Sequence, residues 1–159
     1  MPKLIIASIP RSGRTFILKC LNRLGVSTEY QCVKTIRQVD HAQVIGSHDF
    51  NLDLYAPDRY TIRLLRNPEE CLRSWFLLDV RLGSVQFTKE EWESRRRIQI
   101  PYLLGFNDKY RFCRTVTFEE ILDNPNEILE EICYILKHPF SPLDIPKHTP
   151  RNLDIWPFV

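Results

Sequence analysis

Arg11 and Arg14 bracket Ser12 and Gly13, and Thr15 follows directly. Guanidinium groups are permanent cations with forked donors that match phosphate oxygens. An apolar run, Leu4 to Ile9, leads into this cluster and stops at Pro10. Beyond it Phe16, Ile17, Cys20, Leu21 and Leu24 recur at helical spacing. The order is strand, polar loop, helix. The backbone N–H groups of such a loop and the positive end of its helix converge on one point, where a phosphate binds readily. The expectation is a phosphate-bearing cofactor near the N-terminus. The alternative is an ordinary strand-to-helix turn with exposed arginines.

The loop approaches a Walker A motif and fails it. Aligning Gly13-Arg14-Thr15 with the end of G-x-x-x-x-G-K-[ST] puts Ser8 at the first glycine and Arg14 at the lysine.

A second cluster follows a second strand-like run. Tyr60–Leu65, rich in β-branched and aromatic residues, ends at Arg66-Asn67-Pro68. Asn67 can cap a helix with Pro68 at its first position, and Glu69 and Glu70 suit the first turn. Cys71, Leu72, Trp75, Phe76 and Leu78 continue that helix. Arg66 is thus a second arginine at a strand-to-helix junction.

The elements that must position these loops can be read along the chain. Leu4–Ile9 is a buried strand, Thr15–Leu24 its helix, and Gly25 suits the helix end. The stretch 33–43 is ambiguous, with a short helix one reading. Gln43–Ser47 is a short strand ending at His48. Thr88, before Glu90 and Glu91, caps a helix that runs through Arg97 and beyond. Arg111–Phe118 reads as a strand, and Asn124-Pro125 opens a helix over Asn126–Lys137. Strands alternating with helices predict a three-layer α/β fold, a parallel sheet with helices on both faces. A single domain over residues 1–159 is expected, with a Pro-rich irregular tail from about 138.

Composition sets bounds. Hydrophobic content of 43% and charged content of 26% are those of a globular chain. The net charge of +2 gives no reason to expect general nucleic-acid or membrane binding. No apolar run approaches the length of a membrane span, and the N-terminal run is too short for a signal peptide. The five cysteines, Cys20, Cys32, Cys71, Cys113 and Cys133, form no CxxC or metal-like cluster. Their odd number and apolar settings predict reduced core thiols and a cytoplasmic location.

In a parallel sheet, ligands bind beyond the carboxyl ends of the strands. Three loops leave those ends: Arg11–Thr15, His48-Asp49 and Arg66-Asn67-Pro68. Here the chain resembles the cofactor-binding core of the sulfotransferases that use PAPS, 3′-phosphoadenosine 5′-phosphosulfate. Pro10-Arg11-Ser12-Gly13-Arg14-Thr15-Phe16 is similar to that family's PKSGTTW or PRSGTT loop. Leu65-Arg66-Asn67-Pro68 through Ser74 resembles its RNPxxxxxS motif, with the Arg-to-Ser spacing kept. Val116-Thr117-Phe118-Glu119-Glu120-Ile121-Leu122, then Asn124-Pro125, resembles its YEDLxxxP segment. The three fall in family order.

The resemblance implies a P-loop NTPase-like sulfotransferase core, PAPS as cofactor, and adenosine 3′,5′-bisphosphate as product. It implies that Arg11, Ser12, Gly13, Arg14 and Thr15 hold the 5′-phosphosulfate, and Arg66 and Ser74 the 3′-phosphate. For Arg66 a surface salt bridge to Glu69 or Glu70 is the competing reading. Arg11 stands at the family's catalytic lysine. Arg14 replaces a Thr and either adds charge or turns outward. Phe16 replaces a Trp and either stacks on adenine or packs as core. Gly46-Ser47-His48-Asp49 resembles a K-x-H segment that lacks its lysine. That makes His48 the candidate base for the acceptor and Asp49 the runner-up. His41, His138 and His148 read as surface or turn residues.

The family's C-terminal RKG segment is absent, with Lys147, His148 and Arg151 as candidate substitutes. Arg95-Arg96-Arg97 either attract an anionic acceptor or form a solvated face. The implied reaction is sulfonate transfer to a hydroxyl or amine on a small-molecule or glycan acceptor, without metal. The alternatives are a P-loop nucleotide kinase or NTPase, or a degenerate member that binds nucleotide without turnover.

Overall fold

The structure is a computed structural model that describes residues 4–30, 42–47, 60–105, 114–147 and 156–158. Residues 33–41 of the ambiguous stretch 33–43, which include His41, and also His48, Asp49, His148, Arg151, Cys32 and Cys113 lie outside the described residues.

Leu4–Ser8 forms β1, with every residue buried. Arg14–Arg23 forms α1, and Gly25 behind it takes a positive φ of 85°. Thr28–Tyr30 is β2 and Val44–Ser47 is β3. Tyr60–Leu65 is β4, followed by α2 at Pro68–Arg81 and α3 at Lys89–Gly105. Arg114–Thr117 is β5, then α4 at Phe118–Asp123 and α5 at Pro125–Leu136. Residues 138–147 carry neither helix nor strand.

The sheet runs β2-β3-β1-β4-β5 with all four pairings parallel. Alternation along β1 divides the core. Leu4 and Ile6 face one cluster with Ile17, Leu21, Leu129 and Ile132, from α1 and α5. Ile5 and Ala7 face the other, with Leu72, Phe76 and Trp92 from α2 and α3. The helices therefore cover both faces, as the alternating pattern predicts.

Two elements differ from expectation. The strand read as Arg111–Phe118 ends at Thr117 among the described residues, because a capping box starts α4 there. The Thr117 hydroxyl accepts from the Glu120 N–H, and the Glu120 carboxylate accepts from the Thr117 N–H. β2 carries no sequence signal. It has three residues, two of them polar, at the sheet edge.

β1 is central, with β3 on one side and β4 on the other. The chain leaves β1 for β2 and β3, then returns across β1 to β4. That reversal makes a switch point at the carboxyl end of β1, where α/β folds bind ligands. It also sets the loops after β1 and β4 side by side, although more than fifty residues separate them in sequence.

Candidate anion-binding site

The first loop folds tightly at the carboxyl end of β1. Arg11 holds a left-handed backbone, φ 66°, which side-chain-bearing residues seldom adopt. Gly13 caps α1 with φ 92°, a conformation that suits glycine. A Cβ on Gly13 would also meet Ile121 Cδ1 at 3.1 Å, so α4 packs closely on the loop. Ser12 is buried, and its Oγ lies 3.5 Å from Cys71 Sγ on α2. Burial pushes the Cys71 thiol up to about 11, although the Ser12 hydrogen bond and the nearby Arg66 and Arg11 pull it down.

The second loop closes on the first. Asn67 caps α2 by accepting from the N–H groups of Glu69 and Glu70. Arg66 is 9% exposed, and its Nη1 donates to the Arg11 carbonyl at 2.9 Å. Its guanidinium carbon stands 4.0 Å above the centre of the Phe118 ring. Its buried Nε has no hydrogen-bond partner; the Glu70 carboxylate lies 3.5 Å away, a loose ion pair. Two helical turns along α2, Ser74 Oγ accepts from Arg11 Nε at 3.0 Å. Arg11, Ser12, Arg66 and Ser74 are thus brought together. Ser74 meets Arg11 directly, and the Arg11 backbone links it to Arg66.

Beside this cluster lies a pocket of about 610 Å³. Gly13, Phe16, Phe118, Ile121 and Ile145 give it an apolar wall, and Asp123 and Lys147 also line it. A volume of this size takes a nucleoside-sized ligand. Phe16 both lines the pocket and packs on the α1–α5 core, so the two readings of Phe16 coexist. Thr15 is exposed on the first turn of α1. Arg14 turns toward β3, where its stem lies against Gly46.

No known protein family matches the sequence, and no curated protein is significantly similar to it. Solved structures do match. A sulfotransferase from Alicyclobacillus acidocaldarius superposes with a TM-score of 0.59 at 16% identity, over 96% of this chain and 88% of that one. The mouse sulfotransferase SULT7A1, complexed with PAP, superposes with a TM-score of 0.61 at 13% identity, over 88% of this chain. This chain spans 59% of the mouse protein's length. The fold is sulfotransferase-like.

Within this sulfotransferase-like, P-loop-like core, the arginine cluster sits at the switch point. The three arginines of α3 have structural partners in two cases. Arg95 pairs with Asp79 and Arg96 with Glu69, which ties α3 to α2; Arg97 is exposed. Of the tail residues considered for closing the site, Lys147 reaches the pocket wall. His138 lies just after the turn that ends α5, and its ring nitrogen hydrogen-bonds the Leu24 carbonyl at 2.7 Å. Sequence reasoning missed Cys71 as the support of Ser12, and Phe118 as the ring under Arg66. The Thr117-x-x-Glu120 box was the available signal for Phe118, since it fixes where α4 begins. No helix among the described residues is long and apolar enough to cross a membrane.

Proposed function

We propose that this chain is a PAPS-dependent sulfotransferase. The observation that carries this reading is the Arg66 guanidinium. It is buried between the two arginine loops, stacked on a pocket-lining phenylalanine, and its Nε has only a loose ion pair to Glu70 at 3.5 Å. A buried guanidinium paired so loosely is stabilised further by a well-placed anionic ligand. A nucleotide with two separate anionic groups fits a base pocket flanked by two cationic loops. The PAP held by the mouse sulfotransferase has that chemistry, which supports transferring the assignment here.

On this reading the base enters the pocket between Phe16 and Phe118. Arg66 and Ser74 take the 3′-phosphate. The loop Arg11-Ser12-Gly13-Arg14-Thr15, with the N-terminus of α1, takes the 5′-phosphosulfate. Arg11 stabilises the charge that develops on the leaving phosphate as the sulfonate moves in line to the acceptor. His48, just beyond β3, removes the acceptor's proton. PAPS supplies the activated sulfonate; the acceptor is a small molecule or glycan bearing a hydroxyl or amine.

The deciding experiment is calorimetry with adenosine 3′,5′-bisphosphate and with AMP, on wild type and Arg66→Ala. The bisphosphate should bind tighter than AMP. Arg66→Ala should cost about 1.5–3 kcal/mol for the bisphosphate, the scale of a hydrogen bond to a charged group, and little for AMP. Equal losses for both ligands would remove the 3′-phosphate assignment. In a transfer assay from labelled PAPS to an acceptor panel, His48→Ala should keep cofactor affinity and lose roughly 10²–10⁴-fold in rate. A wild type that binds the bisphosphate and transfers to no acceptor is a nucleotide-binding module instead.

A further inference from the structure

Gly46 is the third residue of β3 and faces α1. A Cβ there would stand 2.6 Å from Leu18 Cδ1, 2.8 Å from Arg14 Cδ and 3.2 Å from Arg14 Cγ. Leu18 and the stem of Arg14 therefore together fill the space a side chain at position 46 would need. Nε and Nη1 of Arg14 are closed off from solvent. Side chains at the start of a helix usually lean back toward its N-terminus and reach water. Here the first residue of α1 is laid instead across the carboxyl end of β3.

Strand order gives this a meaning. β1 separates β3 from β4. Arg66 follows β4, the loop Arg11–Gly13 follows β1, and Arg14 lies over β3. A ligand whose 3′-phosphate meets Arg66, and whose 5′-phosphate meets the loop, directs its far end toward β3. The segment there resembles K-x-H with glycine in place of the lysine. We propose that Gly46 and Arg14 are an exchanged pair: the absence of a side chain at 46 seats Arg14, whose cation serves the sulfonate end of the cofactor rather than its nucleotide phosphates. This rests on the PAPS reading.

The test compares Arg14→Thr with Arg14→Thr/Gly46→Lys, both checked for folding by thermal melting. Affinities are measured for PAPS and for adenosine 3′,5′-bisphosphate. Arg14→Thr should weaken PAPS binding roughly tenfold, as expected for one charged hydrogen bond, and bisphosphate binding far less. Adding Gly46→Lys should restore most of the PAPS affinity, because a cation returns to the same space from the strand. Equal losses for both ligands would assign Arg14 to the 5′-phosphate and overturn the proposal. So would an unchanged Arg14→Thr protein, or a folded double variant without recovery. Wild-type protein that binds neither ligand would instead remove the cofactor reading itself.

Discussion

Cys71 is the residue on which the first loop rests, and its chemistry is that of a buried neutral thiol. Its partner, Ser12, is buried as well, so the contact ties β1's loop to α2 away from water. Folding raises the thiol from its ordinary value of 9.0 to about 11, chiefly through burial. A group whose pKa rises on folding contributes stability that is complete below its unfolded value and is lost as pH climbs toward the folded one. Wild type should therefore lose about 2–3 kcal/mol between pH 9 and pH 11 from this thiol. Cys20 and Cys133 shift in the same direction, so the readout is a difference. Urea unfolding across that range should fall less steeply for Cys71→Ala than for wild type. Parallel slopes would mean that the Cys71 thiolate is tolerated in the folded protein. Below pH 9 the folded protein should also resist alkylation at Cys71, because the reactive thiolate is scarce.

At the level of elements, α2 matters most, since it carries Arg66 at its entrance and Ser74 two turns in. Its start is fixed by Asn67, whose side chain accepts from two N–H groups. Asn67→Ala should cost about 1 kcal/mol, and Asn67→Asp should keep most of that stability. Bisphosphate affinity should fall for Asn67→Ala in step, since a frayed first turn releases Arg66; calorimetry of both variants checks this. The same cap made the element legible. Tyr60–Leu65 matches β4 to the residue because a β-branched run meets an Asn-Pro helix signal without ambiguity. β2 was illegible because three residues at an edge have no second buried face to leave a pattern. The start of α4 was obscured because its first residue, Phe118, extends the apolar alternation of Val116; the capping box, not hydrophobicity, makes the break. For the site, residue types betrayed both arginine loops. Their joining did not show, because Arg11–Ser74 and Arg66–Phe118 depend on which strands become neighbours. Nor could Gly46 announce that Arg14 lies across it, since a glycine carries no pattern of its own.

For the molecule as a whole, the two faces of the sheet are built differently. The α1–α5 face is mostly aliphatic, whereas the α2–α3 face ends in an aromatic cluster closed by Trp156. The Trp156 ring lies 4.8 Å from Trp92 and 6.1 Å from Phe76, centre to centre, with Arg73 5.5 Å over it. Trp156→Ala should cost about 3–5 kcal/mol. The melting temperature should fall by roughly 10 °C. Scanning calorimetry checks this, with the half-buried Phe158 expected to matter less. An unshifted melt would mean that the cluster closes without the tail. The parallel sheet has a consequence for how the protein comes into being on the ribosome. β1 is synthesised first, yet both its edges stay bare until β3 and β4 have emerged, since parallel neighbours need long crossovers. Leu4–Ile9 is apolar, uncharged and free of Pro, the composition that pairs with other chains when exposed. A nascent chain stalled before Leu65 should therefore be a chaperone client, and yield in a cell should depend on translation passing that point before β1 finds a foreign partner.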